Sequence, residues 1–578
     1  MSESNVWRSR WNEAAEHFLG VVLLSVIYLA SELNIWGLSL ALAPAQLQYF
    51  ASILSMVLVF SAMTLAGRVS RTCDGLYRRW IKKNVDVLNA QLGVGFSIPI
   101  IMLDHMLSLR DIGYIVATSA ITNVVSWIGV FLLSLAGLSL LSASQSYLTG
   151  LVRRRAADEE STPSSQSGEK QPAAGSVFHP YQRPSWKKYL TLDDAATTTT
   201  PDDDPSSSSP GEQRPTGVAA ETNASSSTPV GHPGKTTRQD RRVWRCLRRN
   251  GYLITCLVGI VALGVPLQMT LADSRALDGF ALWLCWITAI RLQRMVKHSV
   301  GLIVSARGRH TLATMMNPVL VTTALMLGYT RLRGALNSRD GGVAVVLGDL
   351  SSGTPLYSLW TALARSAPLP DNPRGWFGAG DLALSLLECG IVAWGFKLYE
   401  CRRQLFSPSG LVIFLFCSVA AAGNVFLPVL LASALGLDGP EALAFAARST
   451  TLALAKPAVK TLGGNLALNA SLVVSNGIIG QLLYPLLLEK LSIPASDPSV
   501  VDDDGARGPD AKGDDIRTVA AGTAIGINGA AMGVSYLYEV RSRAAPYAVL
   551  SMTIFGVMTV AFTTLEPFKG VILGLASR

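Results

Sequence analysis

Apolar residues fall into long runs separated by short polar breaks, and most runs approach the roughly 20 residues that a helix needs to cross a bilayer. Early in the chain they cover 18–42, 47–67, 88–108 and 113–144. After a long polar stretch they resume over 251–270, 277–305, 311–329, 378–399, 409–436, 440–463, 466–490, 517–538 and 545–575. Period-2 alternation dominates nowhere, which argues against a β-barrel. The pattern predicts an all-α, polytopic helical membrane protein of about 12 spans, with interrupted helices in its C-terminal part. From 156 to 240 the chain turns to Ser, Thr, Pro, Asp and Gly, with too little apolar content to build a core. This stretch is expected to be a disordered linker of about 50 Å root-mean-square span, letting the flanking blocks move independently. The expected organisation is a four-span domain over 1–155, the linker over 156–240, a hydrophobic hairpin over 241–310 and a larger membrane domain over 311–578.

Composition agrees: 49% of the 578 residues are hydrophobic and only 15% are charged, too apolar for an average soluble protein. The net charge of +9 could suggest nucleic acid, but the excess sits in clusters beside the apolar runs, where topology explains it better. The loop carrying Arg68, Arg71, Arg78, Arg79, Lys82 and Lys83 is placed on the cytosolic side by the positive-inside rule. Counting two spans in either direction puts Arg8 and Arg10, and Arg153 to Arg155, on that same side. The linker then starts and ends there, close to Arg238 and Arg241, and the Asn223 glycosylation sequon is read as chance. Glu13 and Glu16 argue against a transit peptide, so the first run is read as a retained span. Seven scattered cysteines without CxxC spacing read as small buried hydrophobes, with neither metal nor cofactor implied.

Candidate chemistry concentrates where polar residues interrupt the later runs. Segment 446–460, AARSTTLALAKPAVK, puts Arg448, Ser449, Thr450, Thr451, Lys456 and Pro457 inside membrane-like sequence. A cation near the bilayer centre costs roughly 2.5–3.5 kcal/mol on insertion scales, so it usually faces a partner, a water-filled cavity or an anion. Guanidinium binds both oxygens of a carboxylate, and hydroxyls can complete the shell. The blander alternative pairs Arg448 with Glu388 or Glu441, or lets it snorkel to an interface. Lys456 and Lys460 read as interface residues. Residues 520–533, AAGTAIGINGAAMG, place Gly522, Gly526 and Gly529 around Asn528. These glycines either permit tight helix packing or, like Pro457, break a helix and offer backbone groups to a ligand. All six histidines precede residue 311, so a coupled proton would use Asp381, Glu388, Glu441 or a lysine. No catalytic constellation is evident, and enzymatic activity is not expected.

The stretches MNPVLV at Asn317 and Pro318, LECGIVAWGFKLYECRRQL, AARSTTLALAKPAV and AGTAIGINGAAMG resemble the LrgB/CidB membrane family, which includes the plastidic glycolate/glycerate translocator of plants. Arg448 to Thr451 fall on that family's basic-Ser-Val/Thr-Thr motif. Bacterial relatives carry Gly-Pro-Ala-Thr where this chain has Glu388 to Ile391, and a His-containing run where it has Ala524 to Asn528. The first block is similar to LrgA, so the chain looks like a plant-like or fungal fusion of the two parts. The resemblance implies a secondary carrier for glycolate, glycerate or pyruvate, with Arg448, Ser449, Thr450, Thr451, Asn528 and Glu388 at the substrate, a coupled proton or cation, and a homo-oligomer as a possible assembly. The rival reading is a holin-like regulator of lysis or cell death that transports no specific substrate.

Overall fold

The computed structural model describes residues 3–45, 47–70, 72–102, 109–160, 250–298, 306–336, 342–364, 376–493 and 515–577. Every regular element among them is helical. Among the described residues, eight helices are long and apolar enough to cross a membrane: Phe18–Ala45, Ala51–Val69, Arg110–Ser144, Asn250–Thr270, Ala379–Glu400, Pro408–Ala434, Leu466–Lys490 and Ala545–Thr564. A pair bent by 43° at Met316 and Asn317, Gly308–Met315 with Pro318–Leu336, makes a ninth. The architecture is all-α and suited to a membrane, with fewer uninterrupted spans than the apolar runs suggest.

The shortfall has local causes. The run expected over 88–108 is divided into Lys82–Gln91 and Gly93–Ile101, each far below membrane length. Helix Arg275–His298 carries Arg291, Arg294 and Lys297 through its second half. The run over 440–463 splits into Gly439–Ala444 with a short 3-10 turn and Leu452–Leu462. That over 545–575 stops at Thr564 and resumes as Phe568–Ala576. The linker expected over 156–240 begins as the last turn of helix Leu109–Glu160, and the remainder, including Asn223, lies outside the described residues.

Capping residues set the remaining ends. Ser407 Oγ accepts from the Gly410 amide at 3.1 Å, with Pro408 in the first turn of helix 408–434. Asn465 does the same for Leu468 at 3.0 Å, and Gly463 at φ 75° ends helix 452–462 in the left-handed region. Asp381 gathers the Ser351 hydroxyl at 2.6 Å and the amides of Ser352, Gly353 and Gly378 at 2.8, 3.0 and 2.8 Å. Its carboxylate therefore holds the turn between Gly342–Leu350 and Leu356–Ala364 against the start of helix 379–400, a structural task rather than the proton-carrying one considered for it.

The described residues of 1–149 and 245–578 pack into one compact unit, apart from 150–244, of which only the helical residues to Glu160 are described. The independence expected of the two membrane blocks is thus replaced by a shared core. Ile53, Met56, Leu92 and Phe96 of the first block pack in one cluster with Leu387, Ile391 and Trp394 of the second. A Cβ on Gly95 would lie 2.6 Å from the Ala383 carbonyl oxygen, so glycine is what lets these backbones approach. Polar ties reinforce the seam: Arg402 pairs with Asp74 at 3.0 Å, the Tyr77 hydroxyl donates to Glu400 at 2.7 Å, and Lys397 pairs with Asp86. Within the second block, Arg333 binds both oxygens of buried Asp278 at 2.5 and 2.7 Å. Helix 379–400 lies inside the bundle, with 78% of its apolar window buried against protein, whereas the figure for helix 18–45 is 17%.

Candidate functional site

Two helix interruptions meet in the middle of the second block. The first follows Gly439–Ala444: residues 445–447 tighten into a 3-10 turn, and the chain leaves helical geometry at Thr451, φ −58° and ψ 139°, before Leu452–Leu462 begins. Arg448 to Thr451 are each 3% exposed or less. The second lies within Ile516–Glu539, where Ala530 adopts φ 46° and ψ −139°. Such a conformation is strained for any residue with a Cβ, by roughly 1–3 kcal/mol. Interrupting a helix frees backbone carbonyls, which must find other donors. The Asn476 amide donates to the Asn528 carbonyl at 2.6 Å, and Gln481 donates to the Met532 carbonyl at 3.2 Å.

The glycines are not where the helix breaks. Gly522, Gly526 and Gly529 sit in its regular part, fully buried. A Cβ on Gly522 would come 2.6 Å from the Ala544 carbonyl oxygen, so its role is close packing against helix 545–564. Pro457 likewise lies inside helix 452–462 without ending it. Pro457 has no amide hydrogen to offer the Ala453 carbonyl one turn back, yet the helix runs on to Leu462.

Arg448 is 2% exposed. Its Nη2 donates to the Thr122 carbonyl at 2.8 Å and the Asn424 side-chain oxygen at 3.2 Å, and Nη1 donates to the Asn123 side-chain oxygen. Every one of these acceptors is neutral. Neither Glu388 nor Glu441 pairs with it: Glu388 faces Lys456 at 4.0 Å and Glu441 accepts from Asn465 at 3.4 Å. Arg448 Nε and the hydroxyls of Thr450, Thr451 and Tyr484 are buried without a hydrogen-bond partner. Burying a charge that neutral dipoles alone support costs several kcal/mol.

A polar chain joins the two interruptions. Ser126 donates to the Asn528 side-chain oxygen at 2.6 Å, and Asn476 lies 3.5 Å from Ser449 Oγ while bonding the Asn528 backbone. Ser449 and Asn528 are thereby linked through Asn476, with Arg448, Thr450 and Thr451 next to Ser449 along the chain, and Glu388 is not among them. It lines a separate cavity of about 400 Å³ with Lys456, Lys460, Tyr357, Gln48 and Ser52. Arg448 instead lines a cavity of about 670 Å³ between helices 109–160 and 408–434, walled mostly by aliphatic side chains, with Thr122, Ser126 and Asn424 as its other polar groups.

Thr122, Asn123 and Ser126 come from the first block and were not singled out from the sequence. Their signal was present: polar residues at i, i+1 and i+4, on one side of a helix, in the middle of the apolar run over 113–144. Asn424 and Asn476 are likewise amide side chains set within long, mostly apolar runs.

Residues 300–500 match the model of the LrgB-like family. The LrgB-like region holds Arg448 to Thr451, Asn424, Asn476 and the Lys456 cavity residues Glu388 and Lys460, and it ends before Asn528. No curated protein and no solved structure matches the chain. The long apolar helices and the LrgB-like region together indicate a multi-span integral membrane protein, and LrgB-like proteins are linked to transport or to holin-like regulation.

Proposed function

We propose that this chain is a secondary carrier of small organic anions of the glycolate, glycerate or pyruvate class, with no enzymatic chemistry of its own. One observation carries the reading: Arg448 is a buried guanidinium whose contacts are all neutral and whose Nε has no partner. A carboxylate supplies the missing charge. It takes Nε and Nη2 together, the bidentate arrangement that guanidinium favours, and displaces Asn424, the longer of the two Nη2 contacts. The Thr450 and Thr451 hydroxyls, buried and unpartnered beside it, receive the hydroxyl or carbonyl oxygen of the acid, with Ser449 and Asn528 behind them. The aliphatic cavity wall excludes water and strengthens the charge–charge attraction. A co-transported proton or cation balances the anion's charge. In this reading the first block contributes to the site through Thr122, Asn123 and Ser126.

The test is uptake of labelled glycolate or glycerate into proteoliposomes. Wild-type chain gives saturable uptake, and Arg448→Gln lowers it by about 100-fold, the loss expected for charge-assisted hydrogen bonds of about 1.5–3 kcal/mol each. Unchanged uptake by a monodisperse Arg448→Gln protein sinks the assignment. Non-saturable leakage of unrelated solutes would identify the holin-like regulator instead.

A further inference from the structure

We propose that the cavity lined by Lys456, Lys460 and Glu388 is a second anion site, which takes a small carboxylic acid on its two ammonium groups in competition with the chain's own Glu388. The proposal does not rest on the Arg448 reading, since the two cavities share no lining residue.

Helix 452–462 turns a single face to this cavity. Ala453, Lys456, Pro457, Lys460 and Thr461 recur at helical spacing, while Leu454, Ala455, Ala458 and Val459 are fully buried on the other side. The cavity wall opposite is built by both blocks, with Gln48 and Ser52 from the first and Tyr357 and Glu388 from the second. Lys456 and Glu388 are about one-fifth to one-quarter exposed, and their closest approach is 4.0 Å, the outer limit of an ion pair. Among the described residues neither Lys456 nor Lys460 donates a hydrogen bond to the protein, and Lys460 has no carboxylate within ion-pair range. Ammonium groups in a protein cavity with none of their donors taken are poised for an oxygen ligand.

The cavity contents define what fits. Two cations and one carboxylate leave one positive charge to be matched. Glu388 marks where a carboxylate sits against Lys456, and Lys460 at the rim is open to a second one. Burial, with the Glu388 carboxylate nearby, pushes the Tyr357 phenol up to about 12, so it stays protonated and can donate to an acid's oxygen. Ser52 and Gln48 add neutral donors, and a volume of about 400 Å³ has room for an acid of a few carbons.

Equilibrium binding of labelled glycolate and labelled succinate to the purified full-length chain in nanodiscs tests this, with Arg448→Gln as background so that the other cavity is silent. That background is expected to retain saturable binding of at least one of the two acids. Adding Lys456→Gln and Lys460→Gln weakens it by about tenfold or more. Glu388→Gln, by removing the internal competitor, tightens it several-fold, a gain that a purely structural Lys456–Glu388 pair would not give. Lys460→Gln alone, at the exposed rim and safe for folding, weakens binding a few-fold. Three results overturn the proposal: no saturable binding of either acid in the Arg448→Gln chain, no effect of the lysine substitutions, or weaker binding in Glu388→Gln. If instead wild type and Arg448→Gln bind alike, this site stands and the Arg448 reading falls.

Discussion

Arg448 and Lys456 belong to one interrupted segment, yet their surroundings treat positive charge in opposite ways. Arg448 is sealed in protein, held by two asparagines and a backbone carbonyl, and given no counter-charge. Lys456 keeps partial exposure and an acidic neighbour, Glu388, too far for a hydrogen bond. The stronger constraint falls on Arg448. A buried ion that is not neutralised from within lowers the cost of admitting an opposite ion from outside, and neutral amides can be displaced by that ion without leaving a second charge stranded. At Lys456 the internal carboxylate must be outcompeted. The same chain therefore offers one site that lacks an anion and one that already holds a substitute for it.

Substitutions around Arg448 should show graded effects. Arg448→Lys keeps the charge but removes the planar fork, and glycolate uptake is expected to fall by about 100-fold; uptake near wild type would mean that charge alone suffices. Asn123→Ala tests whether the first block belongs to the site. It strips Nη1 of its acceptor, at about 1–3 kcal/mol for the stranded donor, and should reduce uptake by about tenfold, measured as initial rate against substrate concentration. A variant with wild-type kinetics would separate the first block from transport. The smallest effect is at the second interruption: Ala530→Gly relieves a left-handed backbone position and is expected to stabilise the protein by about 1 kcal/mol, read as a raised thermal midpoint in detergent. A lowered midpoint would contradict the strain assigned there.

Much of this architecture is legible in the sequence, and the exceptions share a cause. Long apolar runs announce helices because lipid and protein core alike demand internally satisfied backbones, and Arg448 stands out because nothing around it in sequence is charged. Breaks are harder to read. Pro457 and the glycines of 520–533 carry the usual signs, but a helix breaks where the tertiary surroundings capture the freed groups, as Asn476 captures the Asn528 carbonyl. Ala530 has no sequence signature at all. Partners across the fold were equally hidden. Asn123 and Ser126 lie more than 300 residues from the groups they bond, and only the packing of the two blocks reveals that an ordinary-looking span completes the arginine's shell. Glu388 shows the converse: expected beside Arg448 from the resemblance, it lines a different cavity because helix 379–400 turns it toward Lys456.

The most direct test gives Arg448 the counter-charge it lacks. Asn123→Asp changes one amide nitrogen to oxygen at the position that already contacts Nη1, so the guanidinium is neutralised from within with no change of shape. Counterflow of labelled glycolate in liposomes, measured beside thermal stability, is the readout. The expected result is a protein at least as stable as wild type that no longer exchanges glycolate. An equally stable Asn123→Asp protein with unchanged counterflow would contradict the claim that the uncompensated charge of Arg448 is what holds the anion.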